Sequence, residues 1–189
     1  MAANECLIDC GAFDGDTLKD FLELRNGAFQ RIIAFEPDPV NWRRLMGFVS
    51  TLPTAVRDRI DVRPAAVGAR TEKLNFSVTG TAGSAAGHGT YEVDSRSLDE
   101  ALDGLEPTWI KMDIEGFEAA AIAGARRLIQ RSRPVLAINL EHRQDDLWRI
   151  AILVRSIVEG YRFFLRPHLL EGWDLVCYAI PESRCASGV

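Results

Sequence analysis

The chain has 189 residues, a formal net charge of -5 and 47% hydrophobic residues, which is typical of one globular domain with a single core. No segment is basic enough to follow a nucleic-acid backbone, and no apolar run approaches the roughly 20 residues of a membrane span. We therefore expect one domain over residues 1–189, in the cytoplasm, without a nucleic-acid partner. The composition predicts no particular oligomeric state. The four cysteines show no CxxC spacing and are expected to be reduced thiols.

Short apolar runs alternate with segments of helical periodicity along the chain. The predicted strands cover Cys6–Cys10, Arg31–Phe35, 60–66, 108–114, 134–140, 161–166 and 175–180. Helices are predicted over Asp16–Arg25, from Pro39 onward, and over 97–102, 116–131 and 145–159. This order predicts an α/β fold of Rossmann-like type, a mostly parallel seven-stranded sheet with helices on both faces. The last loop is too short for a helical crossover, so the last strand is expected to be antiparallel.

Some elements carry more detailed expectations. Asp16 or Thr17 is expected to cap the first helix. The second helix is expected to bury one face, formed by Trp42, Leu45, Met46 and Val49. Residues 70–96 combine a short alternating run with a stretch rich in Gly, Ala, Ser and Thr, which predicts a β insertion with a mobile loop.

The turn after the first strand predicts which cofactor the fold would hold. A dinucleotide site needs G-x-G-x-x-G so that the backbone can approach a pyrophosphate. Counting from Gly11, this chain has Phe13 and Asp16 where the second and third glycines would be. A bulky ring and like charge disfavour a diphosphate there. S-adenosylmethionine carries a nucleoside, a sulfonium and no phosphate, so this turn suits it.

Four carboxylates follow predicted strands that would end at one edge of the sheet: Asp9, Glu36, Asp113 and Glu141. Ligands of open parallel sheets bind at this edge. Glu36 stands where an acid can accept hydrogen bonds from both ribose hydroxyls. Asp9 either reaches the methionyl ammonium or only accepts loop N–H groups.

Asp113, Glu115 and His142 are the candidate catalytic residues. Asp113 and Glu115 flank Ile114, so alternation along a strand would place them on one face. One of them could then point at the sulfonium and the other at the acceptor, and Asp113 is the stronger candidate for the base or the acceptor ligand. The unperturbed pKa of His142 lies near neutrality, so it could take the acceptor proton. Glu118 could instead serve only the positive end of a helix. We expect no metal site, because no His or carboxylate pair shows ligand spacing beyond the MDIE segment itself.

Taken together, these segments resemble the FkbM-type methyltransferases, within the class I S-adenosylmethionine-dependent fold. The matching pieces are LIDCGAFDGDT, IIAFEPDP, RPAAVG, SLDEAL, WIKMDIEGFEAAAIAGA and PVLAINLEHR, which run from residue 7 to residue 143. The order and spacing of all six carry the resemblance. The family more often has Asn at the position of Phe13. The sequence before the first strand is short, so helices that many methyltransferases place over the acceptor are expected to be missing from it.

The resemblance implies methyl transfer to an oxygen of a small-molecule or carbohydrate-like acceptor, with S-adenosyl-L-methionine as the donor. It also implies that Ala66 and Val67 present backbone to the adenine. The residues expected to bind the cofactor are Asp9, Gly11, Ala12, Phe13, Gly15, Asp16, Thr17, Glu36, Pro37, Ala66, Val67 and Asp113. Two other hypotheses remain open: an NAD(P)-linked oxidoreductase with a degenerate turn, and a non-catalytic nucleoside-binding module.

Overall fold

The computed structural model describes residues 4–81, 89–168 and 174–185. Its strands are β1 (Cys6–Cys10), β2 (Arg31–Phe35), β3 (Ile60–Arg63), β4 (Ala66–Val67), β5 (Glu72–Phe76), β6 (Tyr91–Arg96), β7 (Trp109–Met112), β8 (Val135–Asn139), β9 (Tyr161–Pro167) and β10 (Leu175–Pro181). Its helices are α1 (Asp16–Arg25), α2 (Pro39–Thr51), α3 (Thr54–Arg57), α4 (Leu98–Ala101), α5 (Glu118–Gly124), α6 (Arg126–Ser132) and α7 (Asp146–Ile157). A 3₁₀ turn covers Glu182–Arg184.

Seven strands form one sheet in the order β3-β2-β1-β7-β8-β10-β9. The pairs of β1 with β2 and with β7 are parallel, whereas β10 runs antiparallel to both of its neighbours. The predicted fold class, with its antiparallel final strand, is confirmed. The chain leaves β3 at one edge and re-enters the sheet at β7, on the other side of β1. The strand order therefore reverses beside β1, where a crevice opens at the carboxyl ends of parallel strands.

The core lies on both faces of this sheet. Cys6, Ile8 and Cys10 of β1 belong to a buried cluster that includes α5, α6 and α7 side chains. Leu7, between them in the sequence, belongs to the cluster that contains Leu18 of α1 and other α1 and α2 side chains. Successive residues of a strand point to opposite faces. Because every residue of β1 is buried, β1 is held from both sides, and the turn that follows it starts from a fixed point.

A second, three-stranded sheet has the order β4-β6-β5. Its strands β5 and β6 lie within the predicted insertion over residues 70–96, whereas β4 precedes it. The predicted strand over 60–66 is wrong in its end, since β3 stops at Arg63 and β4 begins a different sheet. Pro64 separates the two strands, and the amide of Ala65 turns back to donate to the carbonyl of Arg63 at 2.9 Å. The part of the expected mobile loop at residues 82–88 lies outside the described residues.

The expected cap of the first helix is wrong, and the expected buried face of the second helix is confirmed for Leu45 and Val49 only. Gly15, with a φ of +97°, is the N-cap of α1, and no side chain caps this helix. The buried face of α2 is Asn41, Leu45 and Val49, while Trp42 is half-buried and Met46 is exposed. The side chain of Asp38 caps α2 by accepting from the amides of Val40 and Asn41.

The single helix expected over residues 116–131 is two helices, α5 and α6, which meet at Ala125. At this break, two segments of the chain come close together. A Cβ on Gly124 would lie 2.1 Å from the carbonyl oxygen of Gly68. The hydroxyl of Ser97 also donates to the carbonyl of Gly124 at 2.9 Å. None of the described helices is long and apolar enough to cross a membrane.

Candidate functional site

A pocket opens at the carboxyl ends of β1, β2 and β7, and the three-stranded sheet forms one of its walls. Its lining residues are Gly11, Phe13, Asp16, Phe35, Glu36, Pro37, Asn41, Ala65, Ala66, Val67, Phe76, Thr81, Lys111, Asp113, Ile114, Glu115 and Phe117. Apolar side chains of β2 and the insertion face carboxylates that follow β1, β2 and β7. The pocket therefore offers an apolar surface next to groups that bind hydroxyls and cations.

The turn after β1 is held in place by backbone contacts. The amides of Gly11 and Ala12 both donate to the carbonyl of Phe35, at 3.0 and 3.1 Å. Gly11 has a φ of +79°, and a Cβ there would lie 1.9 Å from the carbonyl oxygen of Asp113. Only glycine permits this approach of the two loops. Phe13 also has a positive φ, of +48°, in a region that side chains seldom adopt.

Glu36 joins this turn to the start of α2. Its Oε2 accepts from the amide of Phe13 at 2.8 Å, and its Oε1 accepts from the amide of Asp38 at 2.8 Å. Burial raises the pKa of Glu36 to about 7, although both backbone donors favour the charged form. A carboxylate oxygen accepts about two hydrogen bonds, so each oxygen keeps capacity for one further donor from the pocket.

Asp9 forms a buried ion pair below the pocket floor. Its side chain is fully buried, and its Oδ1 lies 3.3 Å from Nζ of Lys111. Burial raises the pKa of Asp9 to about 6, against the opposing effect of the Lys111 ammonium. The Lys111 ammonium also donates to the carbonyl of Gly11 at 2.8 Å. Asp9 therefore contacts Lys111 rather than the pocket.

The three candidate catalytic residues lie together. Nε2 of His142 is 3.5 Å from Oδ1 of Asp113 and 3.6 Å from Oε2 of Glu115. Nδ1 of His142 lies 2.9 Å from Oε1 of Glu118, which is fully buried and also accepts from the amide of Ile114. The reason given for pairing Asp113 with Glu115 is wrong, because β7 ends at Met112 and Glu115 has a φ of +56°. A turn, not strand alternation, brings the two carboxylates together.

The charge of this cluster follows from its burial and its neighbours. Burial alone would lower the pKa of His142, but the hydrogen bond to Glu118 and the nearby carboxylates outweigh it and raise that pKa to about 9. Burial raises the pKa of Asp113, against Lys111 and His142. At neutral pH His142 is therefore a cation. In the part of the chain that the structure describes, no group of three or more His, Cys, Asp or Glu side chains could hold a metal ion.

The predicted cofactor residues divide into two sets, all within the described ranges. Those that line the pocket are Gly11, Phe13, Asp16, Glu36, Pro37, Ala66, Val67 and Asp113. The others do not line it, and they are Asp9, Ala12, Gly15 and Thr17. Ala12 is fully buried in the core beside α1, and Gly15 lies against Leu45 and Phe48. This second set supports the turn.

Sequence reasoning overlooked three residues of the site or gave them a lesser role. Lys111 lines the pocket and pairs with Asp9, and a lysine inside the apolar strand β7 was a signal for it. Glu118 was weighed only as a helix-terminal acid, yet it holds His142. Asp38 accepts from the amides of Val40, at 2.7 Å, and Gly80, at 2.9 Å. No sequence pattern shows this last contact, because the two segments are far apart in the chain.

Comparisons with known proteins agree on one family. The sequence profile of the methyltransferase FkbM domain matches residues 9–165. The chain is similar to the 2-O-methyltransferase NoeI of Sinorhizobium fredii, at 25% identity over 81% of this chain and 69% of that protein. The profile match includes β2, β7 and the end of β1, which build the pocket.

Solved structures have the same architecture. The structure of methyltransferase FkbM from Methylobacillus flagellatus KT superposes with a TM-score of 0.83 at 32% identity, over 95% of this chain and 44% of that one. This chain thus spans less than half the length of that relative. An rRNA methylase from Streptococcus thermophilus superposes with a TM-score of 0.58 at 12% identity, over 96% of this chain and 89% of that one. At that identity, the likeness concerns the fold alone.

Proposed function

Because the chain belongs to the FkbM methyltransferase family, we propose that it transfers a methyl group from S-adenosylmethionine to a hydroxyl oxygen of a small-molecule or carbohydrate-like acceptor. The observation that carries the proposal is the placement of Glu36. Its two oxygens accept from the amides of Phe13 and Asp38, and the side chain still lines the pocket. A carboxylate fixed in this way is suited to a pair of neighbouring ribose hydroxyls.

The residues of the pocket fit that donor. Ala66, Val67 and Phe76 supply an apolar wall for the adenine ring. Asp16 and Asp113 supply negative charge for the ammonium and sulfonium groups. The ring of Phe13 occupies the turn where a dinucleotide site places glycine, which argues against a diphosphate.

The bound donor supplies an electrophilic methyl group on a positively charged sulfur. The protein's own task is to align the acceptor oxygen and exclude water, which can contribute ~7 to 11 kcal/mol. Asp113 lines the pocket and keeps 38% of its side chain exposed. In this proposal the Asp113 carboxylate accepts the proton of the acceptor hydroxyl. Glu115 lies beside it.

His142 has a different role in this proposal. With a pKa of about 9, the imidazole is already protonated at neutral pH and has no free lone pair to receive a proton. Glu118 fixes one ring nitrogen, and the other faces Asp113 and Glu115. His142 therefore orients the two carboxylates and balances part of their charge.

The acceptor class rests on the similarity to NoeI, a 2-O-methyltransferase, and on the charges around the site. The carboxylates of Asp113, Glu115 and Glu118 lie around His142. Glu141 adds a further negative charge that acts on Glu115. Like charge disfavours an anionic acceptor there. We therefore propose a neutral hydroxylated acceptor.

The test is methyl uptake from labelled S-adenosylmethionine by a panel of neutral methyl glycosides. At saturating donor concentration, so that any loss of donor affinity does not contribute, Asp113→Asn should lower the turnover of the best acceptor by ~10²- to 10⁴-fold. Asp103→Asn, at an exposed position, is the matched control and should keep full turnover. Full turnover of Asp113→Asn would contradict the assignment, and no labelled product from any glycoside would contradict the acceptor class.

A further inference from the structure

Lys111 lies between two cavities of the molecule. It lines the pocket described above, and it also lines a second groove on the α1 side of the sheet. Asp16 and Asp113 are the other two residues that the pocket and the groove share. The three side chains therefore mark the junction at which the two cavities meet.

The ammonium of Lys111 has three oxygen neighbours at this junction. It donates to the carbonyl of Gly11 at 2.8 Å, and it lies 3.3 Å from Oδ1 of Asp9 and 3.8 Å from Oδ2 of Asp113. The lysine side chain is 19% exposed and that of Asp9 is fully buried. Within the described ranges, Asp9 makes no ion pair other than the one with Lys111. The buried pair thus fixes the ammonium in place.

This geometry links the turn after β1, called the cofactor turn below, to the candidate catalytic carboxylate of Asp113. Gly11 belongs to the turn after β1, whereas Asp113 follows β7, and one ammonium contacts both. Removal of one member of a buried pair is costly, so the ammonium is not free to leave Asp9. A carboxylate held near a fixed cation keeps its charge and its orientation.

We propose that Lys111 is a positioning residue of the methyl-transfer centre, whose ammonium bridges the Gly11 turn and the Asp113 carboxylate and keeps that carboxylate deprotonated and in place. The proposal rests on the function proposed above, in which Asp113 receives the acceptor proton. Asp9 supports this role, since its buried carboxylate pairs with the Lys111 ammonium.

The charges around Asp113 come from several elements. Lys111 of β7 and His142, which follows β8, lower its pKa, whereas Glu118 of α5 and Asp174, which precedes β10, raise it. The buried carboxyl of Asp9 on β1 also interacts electrostatically with Asp113. Glu115 is a further acid that faces His142. Loss of the Lys111 ammonium leaves His142 as the remaining cation of this set, so the Asp113 carboxyl should bind its proton more readily.

The test is a ¹³C NMR titration of the Asp113 carboxyl, assigned by its loss in Asp113→Asn. In Lys111→Met, the titration should move to higher pH than in the unaltered protein. The double variant Asp9→Asn/Lys111→Met lacks both buried charges, so it avoids an unpaired one. Its titration should also move to higher pH, but by less than in Lys111→Met, because the negative charge of Asp9 is lost together with the ammonium. Asp9→Asn alone keeps the ammonium and should cause no upward shift. If Lys111 had a purely structural role, the direction of the titration shift would not depend on which charge each variant retains.

Lys73→Met serves as the control, because Lys73 is an exposed lysine on β5 that pairs with Glu92 and Asp94. It should leave the Asp113 titration unchanged. An unchanged titration in both variants that lack Lys111 would overturn the proposal. Calorimetry of the unaltered protein with S-adenosylhomocysteine separates the two claims, since absent binding would contradict the proposed function and not the ion-pair geometry.

Discussion

The shape of the cofactor turn depends on the contact of Gly11 with the carbonyl oxygen of Asp113. A side chain at Gly11 would place its Cβ 1.9 Å from that oxygen, and the backbone there has a φ of +79°. Because β1 and β7 are parallel neighbours, the segments that follow them run side by side. A side chain at Gly11 would push these two segments apart.

Gly11→Ala should therefore destabilise the protein. A positive φ costs an L-residue roughly 1 kcal/mol, and displacement of the Asp113 backbone adds to that, so we expect a loss of about 2 kcal/mol or more in the free energy of unfolding. Chemical denaturation measures it. Gly47→Ala is the matched control, because nothing lies within 4 Å of a Cβ there and alanine favours the helix interior by ~0.5 to 1 kcal/mol. Equal stability of Gly11→Ala and the unaltered protein would contradict the account of the turn.

At this scale, the sequence predicts the placement of a residue where that placement follows from its position in a strand. Glu36 directly follows β2, so its place at the pocket could be predicted. Lys111 could not be assigned in the same way, because its role depends on Asp9 in the neighbouring strand. The register of β1 against β7 sets Asp9 opposite Lys111, and that register is a property of the folded sheet.

At the scale of elements, Asp38 connects α2 to the insertion. One carboxylate oxygen accepts from the amides of Val40 and Asn41 at the start of α2, at 2.7 and 3.3 Å. The other accepts from the amides of Thr79 and Gly80, at 3.1 and 2.9 Å. Asn41 adds a bond from its side-chain amide to the carbonyl of Thr81 at 3.0 Å. The wall that carries Thr81 is thus attached to α2.

Asp38→Ala should both destabilise the protein and weaken donor binding. Loss of a helix cap costs ~1 kcal/mol, and each buried amide left without an acceptor adds ~1 to 3 kcal/mol. Thermal unfolding should therefore occur at a lower temperature, and the dissociation constant of S-adenosylmethionine should rise. Asp58→Ala, at an exposed acid after α3, should change stability by no more than ~0.5 kcal/mol. Unaltered donor affinity in Asp38→Ala would show that the wall does not depend on this attachment.

The elements were predictable where periodicity alone defines them. The bounds of β1, α1 and β2 agree with the sequence pattern, since each has a clear apolar run and a clear stop. The three-stranded sheet was less predictable, because β4 has only two residues, Ala66 and Val67, and pairs with β6 about 30 positions later. The break at Ala125 was hidden for a similar reason: it depends on the contact of Gly124 with Gly68.

For the whole molecule, the pocket makes stability depend on pH. Burial raises the pKa of Asp9 to about 6 and that of Glu36 to about 7. For His142, burial alone would lower the pKa, but Glu118 and the other carboxylates raise it to about 9. All three groups bind their protons more tightly in the folded chain than in the unfolded one. Stability must therefore fall as pH rises through these values.

We expect the free energy of unfolding to fall stepwise between pH 6, pH 7.5 and pH 9, as measured by urea denaturation in buffers of equal ionic strength. His142→Gln lacks the group that titrates near pH 9, so its stability should change less than that of the unaltered protein over the upper interval. The contribution of His142 is complete below its ordinary value of 6.5 and is lost through about 9. A free energy that rises from pH 6 to pH 9 would contradict the assigned directions.

The central claim is that the pocket binds an adenosyl sulfonium through Glu36 and does not bind a dinucleotide. Calorimetric titration at pH 8 with S-adenosylmethionine and, separately, with NAD tests it most directly. The account predicts saturable binding of S-adenosylmethionine, no detectable binding of NAD, and an affinity at least about tenfold weaker in Glu36→Gln. Glu23→Gln, at an exposed position of α1, should bind as the unaltered protein does. Tighter binding of NAD, or an unchanged affinity in Glu36→Gln, would contradict the account.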